Sequence, residues 1–224
     1  SGPAALQTDP EAPYLDVIRS IEESSDIDLS LNLVAEAMAE QFAIASPELA
    51  LGEKRYPGLG RAMAEALKPL LKTRDMRLRK LFLPRQVAAI RANLTVAEAA
   101  DVAWFYRSKY GRKLLGNVIA GFDGKQMMVD AVNGGDVGAA AFKADSNRAV
   151  ARAIVALTEE DLIEIGKLAT ERPALRKLKP LGAALGEVRL AAENEPMTAE
   201  EEAEMTAVVV AAIEQHIARA EAAK

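Results

Sequence analysis

The chain has 224 residues, is 50% hydrophobic by residue type but only 4% aromatic, contains no cysteine and carries a formal net charge of −5. A chain of this length buries a core without covalent staples, and the missing cysteines exclude disulfides, thiolate metal sites and a cysteine nucleophile. The acidic balance, with a pI near 5.2, argues against a surface that is a nucleic-acid footprint throughout. With so few aromatic residues, alanine and aliphatic side chains must do the packing, which suits closely spaced helices more than a sheet. The expectation is an all-α multi-helix bundle, a single helical domain over residues 1–224.

Thr8 to Pro13 reads as a lead-in, with Asp9 as cap and Pro10 at the first position of a helix carrying Leu15, Ile18 and Ile21. Leu29, Leu33, Ala37 and Phe42 share a helical face, and Ser46-Pro47 ends that run and restarts the chain. Tyr56 to Gly60 is the next punctuation. Arg61–Leu71 and Met76–Ala92 are helical by period, with Pro69 and Pro84 as boundaries or kinks.

Between residues 72 and 91 the cations Lys72, Arg74, Arg77, Arg79, Lys80, Arg85 and Arg91 face Asp75 alone. One reading is a solvated helix face alternating with buried Leu78, Leu81, Phe82 and Leu83. The sharper reading makes Arg77, Arg79 and Lys80 part of a docking face for lipid headgroups or for the acidic segment Asp9 to Asp28 of another copy.

Thr95 and Glu98 have capping-box spacing and start a helix. Gly111 follows Tyr110 where a left-handed residue would end that helix, and Arg112 with Lys113 suits either its C-terminal dipole or a solvated start to the next helix. The signal returns at Thr158 and Asp161, 63 residues later. Val102 and Phe105 then align with Ile165 and Leu168, and Arg112-Lys113-Leu114 aligns with Arg176-Lys177-Leu178 at an offset of 64. These matches predict an internal repeat of a helix-turn-helix unit, with copies near residues 78–121 and 141–190.

Thr95 to Glu98, the run Phe105-Tyr106-x-Ser108 and Gly111-x-Lys113-Leu114-Leu115 resemble the signature of a bacterial family known as domain of unknown function two-thousand-fifty-nine. The resemblance covers roughly Leu78 to Val118, and the second copy only loosely. Lys109 stands where the family usually has proline. The resemblance implies a small exported helical protein, periplasmic or secreted, of a family with no established activity. The N-terminus itself lacks the basic and apolar regions of a signal peptide, and no run approaches the roughly 18 apolar residues of a membrane span.

Further on, Phe122 to Met127 reads as a capping box on Asp123 with a Phe122 to Met127 staple, opening a helix from about Gly124 to Val132. Asn133 to Gly138 breaks it with three glycines, and another helix follows from Ala139 or Ser146 to Leu157. Thr198 and Glu201 cap a terminal helix with Val209, Ile213 and Ile217 on one side.

Reactive constellations are missing. Gly124-Lys125 lacks the first glycine and the hydroxyl of a P-loop, and Gly134-Gly135-Asp136 has no preceding strand. His216 is the sole histidine, with no second ligand at helical spacing. Neither a metal nor a cofactor is expected. The primary functional expectation is a non-enzymatic envelope domain that binds a protein partner, itself or an amphiphilic ligand. The alternatives are a hydrolase using Asp or Glu with Arg107 or Lys113 on an envelope carbohydrate or lipid, and, more weakly, a helical nucleic-acid regulator.

Trp104 is the only tryptophan. With Val102 and Phe105 facing the core, it lies about 200° around the helix from Val102, and its counterpart in the second copy is Lys167. Trp104 is therefore predicted to be a contact residue on the outer side of its helix, covered by another segment of the same chain such as the N- or C-terminal helix, by a dimer partner or by an amphiphile.

Overall fold

The computed structural model of the protein describes residues 9–132 and 134–223, with only the backbone of Val132. Thr8 and Asn133, read above as loop residues, lie outside that set. Among the described residues the fold is all-α, with eleven α-helices and no strand. They are α1 (Ala12–Glu23), α2 (Ile27–Phe42), α3 (Pro47–Arg55), α4 (Leu59–Asn93), α5 (Val96–Arg107) and α6 (Lys109–Gly121), then α7 (Lys125–Val132), α8 (Ala139–Val155), α9 (Glu159–Glu171), α10 (Leu178–Glu193) and α11 (Ala199–Ala222). A 3₁₀ turn, Pro173–Lys177, joins α9 to α10.

The spine is α4, which packs against α1, α2, α3, α10 and α11. Its 35 residues span about 52 Å at 1.5 Å per residue. Two helices, Arg61–Leu71 and Met76–Ala92, were expected, with Pro69 and Pro84 as boundaries or kinks; α4 instead runs unbroken through residues 72–75 with both prolines inside it. Each removes one N–H and frees the carbonyl four residues back, at Glu65 and Lys80. All four residues are exposed, so the broken rungs lie on the solvent side. Met63, Leu67, Leu78, Phe82, Val87 and Ile90 are buried on the other side and hold the helix through both interruptions.

The main core forms where the end of α4 meets α1, α5, the 3₁₀ turn and the start of α10: Val17, Ile90, Val102, Phe105 and Leu181 are its largest fully buried side chains. A second cluster joins Leu78 and Phe82 of α4 to Val188 and Ala192 of α10. By contrast α11 buries no residue completely and packs chiefly on α4. His216 ties it to the turn before α4, its Nε2 lying 3.0 Å from the Pro57 carbonyl.

Of the four predicted capping boxes the three threonine ones form, at Thr95/Glu98, Thr158/Asp161 and Thr198/Glu201. In each, the threonine hydroxyl accepts from the N3 amide at 3.1 to 3.3 Å and the acid accepts from the threonine amide at 2.8 to 3.0 Å. Thr95→Ala and Thr158→Ala are each expected to cost about 1 kcal/mol in urea unfolding. Unchanged midpoints in both would contradict the capping role.

Other boundaries differ from expectation. At the N-terminus α1 begins at Ala12 with Pro13 in its first turn; Asp9 accepts from the Glu11 amide at 2.9 Å instead of capping a helix opened by Pro10. Before α7 the predicted box on Asp123 does not form: of the helix-start amides Asp123 accepts only that of Lys125, two residues on, at 3.2 Å. The Gln126 and Met127 amides go instead to Asp145 of α8, at 3.4 and 3.0 Å. The glycine run does separate α7 from α8, with Gly134 at φ 75°.

The largest local correction concerns Gly111. It is not a left-handed terminator but a residue of the first turn of α6. The break is at Ser108, whose extended backbone closes α5 and opens α6. The Ser108 hydroxyl donates to the Phe105 carbonyl at 2.6 Å and accepts from the Gly111 amide at 3.2 Å. The corner is then so tight that a Cβ on Gly111 would sit 1.9 Å from the Phe105 carbonyl oxygen.

Candidate functional site

The cations singled out in the sequence are largely engaged within the chain. Arg107 makes a two-pronged bond to Asp16, both distances 2.8 Å, and a further 2.8 Å bond to Glu23, clamping α5 to α1. The guanidinium beside them holds the Asp16 and Glu23 carboxyls below their ordinary values. Arg79 bonds Asp75 at 2.6 Å and lies 3.6 Å from Glu22. Lys72 pairs with Asp28 and Arg91 with Glu11. The acidic segment 9–28 is thus a partner of the basic stretch, as charge complementarity suggested, but it belongs to the same chain. Lys80, in contrast, is exposed and forms no ion pair among the described residues.

Each capping-box acid also receives a distant cation. Arg77 grips Glu201 at 2.7 and 2.9 Å. Lys177 reaches Glu98 at 2.8 Å, and Lys113 bonds Asp161. The two lysines were aligned with one another in sequence, and each crosses to the helix start of the other stretch. Lys113 with Thr158 holds the Asp161 carboxyl down at about 2, and Lys177 with Thr95 lowers Glu98. These acids are depressed on folding, so they contribute stability above their unfolded pKa, near 4, and lose it as pH falls toward the folded value. The urea midpoint is expected to drop between about pH 5 and pH 2, and Lys113→Met to flatten the lower part of that drop. An identical acid limb in the variant would contradict this coupling.

Among the described residues no group of three or more His, Cys, Asp or Glu could hold a metal ion, and no helix is long and apolar enough to cross a membrane. Two open hollows lie along α2 and α4. One, of about 280 Å³, is lined by Glu22, Ser25, Ile27 and Arg79; the other, of about 360 Å³, by Asp28, Leu31, Asn32, Lys68, Pro69 and Lys72. Their charged walls are paired across the opening by Arg79 with Glu22 and Lys72 with Asp28.

Trp104 lies on the outer side of α5, 41% exposed. Its ring is stacked by the Arg172 guanidinium, 4.0 Å from the centroid, which also bonds Asp101. The cover is therefore another segment of the same chain, as expected, but it is the residue that ends α9 and not the N- or C-terminal helix. Of the remaining motif residues, Phe105 is fully buried, while Tyr106 is nearly so, with its hydroxyl pushed up to about 12 by burial; Leu114 packs at the edge of the same core.

One surface was not singled out in the sequence. Val150, Ile154 and Val155 at the end of α8, and Leu162 and Ile163 in the first turns of α9, are all exposed, Val155 at 85%. Five large aliphatic side chains thus face outward within fourteen residues. The inner face of α8, by contrast, is built for close approach: Ala149 and Ala153 are fully buried, and a Cβ added at Gly121 of α6 would already lie 3.1 Å from the Ala149 carbonyl oxygen. The available signal was a surplus. Leu162 and Ile163 add apolar residues beside Ile165 and Leu168, widening the stripe beyond what one buried face uses. Comparison with known proteins gave no match to any family model, curated protein or solved structure.

Proposed function

We propose that this chain is a non-catalytic, protein-binding helical domain of the bacterial envelope, and that its partner seats on the α8–α9 corner. The observation that carries the reading is the concentration of exposed aliphatic side chains at Val150, Ile154, Val155, Leu162 and Ile163. Such a patch costs hydration free energy in an isolated molecule and marks a surface that another protein covers. The cations proposed as alternatives, Arg77, Arg79 and Arg107, already have carboxylate partners inside the chain, which favours the apolar corner over the basic stretch. The envelope setting rests on the resemblance of Thr95 to Leu115 to an exported family.

The test places a photoreactive side chain at Val155 in the native bacterium, with exposed Lys54 of α3 as control. The reading expects a discrete protein adduct from position 155, in the periplasmic fraction, and none from position 54. Adducts to lipid alone, or equal adducts from both positions, would overturn it.

A further inference from the structure

Resting on that reading of the corner, we infer that the protein seated on it is a second copy of the same chain, paired antiparallel about a two-fold axis passing between Val150 and Ile154. The argument is the polarity of the patch. The outward face of α8 carries Lys143, Asn147, Val150, Ala151 and Ile154 at helical spacing, all exposed. Lys143, at its N-terminal end, makes no ion pair. At the opposite end, Glu159 and Glu160 begin α9, likewise exposed and without an ion pair. The surface is thus apolar in the middle, with an uncompensated cation at one end and uncompensated anions at the other.

A surface of that kind is complementary to itself when turned around. In an isologous interface every contact occurs twice, each end of the patch meeting the other end of its twin. Lys143 and Ile154 are eleven residues apart, about 16 Å along the helix. An antiparallel pairing centred between Val150 and Ile154 therefore carries Lys143 of one copy to the Glu159–Glu160 start of α9 in the other. The aliphatic side chains meet in the centre, and Ala151 lets the two α8 helices approach. The charges lie at the rim, where they set register and orientation more than strength. A different partner would have to reproduce this polarity in reverse; a second copy has it already.

Sedimentation equilibrium of the full chain, from low to high micromolar, is the test. The wild type is expected to pass from a 24.0 kDa monomer to a reversible dimer. Ile154→Glu should remain monomeric with an unchanged helical spectrum and urea midpoint. Lys143→Glu and Glu160→Lys should each weaken dimerisation about tenfold, since each rim pair is present twice, and the two substitutions together should restore it. A wild type that stays monomeric throughout overturns the inference, as does a dimer that the combined charge exchange fails to restore. Monomeric protein whose Val155 probe captures a different protein in the cell overturns the second copy while leaving the corner a binding surface. A monomer with no adduct at all overturns both.

Discussion

Gly111→Ala should destabilise the protein by about 3 kcal/mol, against the gain of about 1 kcal/mol that alanine brings to an ordinary helix interior. The added Cβ would lie 1.9 Å from the Phe105 carbonyl oxygen and 2.8 Å from the Tyr106 Cα, so it meets backbone that cannot rotate aside. Relief requires opening the Ser108 corner, which drags Phe105 out of the centre of the core. Gly116, five residues along in the same helix, is the internal control, because a Cβ there meets nothing within 4 Å. Gly116→Ala should be stabilising by up to about 1 kcal/mol. Urea unfolding of the pair checks both signs; a neutral Gly111→Ala would mean that the corner is looser than described.

Asp145→Ala should cost about 3 kcal/mol. The carboxylate is 1% exposed and accepts from two amides at the start of α7 while paired with Arg148 of its own helix. Removing it leaves two helix-start donors without an acceptor, and one buried charge-assisted bond is worth more than a neutral cap. Arg148 can turn toward Asp123, 3.5 Å away, which limits the loss on that side. Asp145→Asn, which keeps one acceptor in place, should lose about half as much. Beyond the urea midpoint, amide exchange at residues 126 and 127 should accelerate more than elsewhere. Exchange rates there equal to those of the wild type would contradict the capping role of Asp145.

What was legible in the sequence was what neighbours in the chain decide. Three threonine caps were readable because the donor and acceptor are three residues apart. Gly111 was noticed but misassigned, since its need for a missing side chain arises from a carbonyl brought back by the Ser108 corner. Pro69 and Pro84 read as boundaries or kinks because the cost of a lost rung is local, whereas the burial that offsets it comes from α2, α10 and α11. The cations of residues 72–91 were visible as a group, and so was the acidic segment that complements them; that the two meet within one chain is a fact of tertiary folding. Trp104 was correctly expected on the outer side of its helix, but its Arg172 cover comes from 68 residues downstream. The resemblance and the internal repeat rest on local matches, which say nothing of which lysine would reach which acid.

The crossed lysines also bear on how the fold opens. Lys113 belongs to the helix after α5 yet secures the start of α9, while Lys177, just beyond α9, secures the start of α5. Fraying of either stretch withdraws the lysine on which the other's first turn depends. The two should therefore behave as one cooperative opening unit in native-state hydrogen exchange, with the first-turn amides of α5 and α9 sharing a common opening free energy although 63 residues separate their caps.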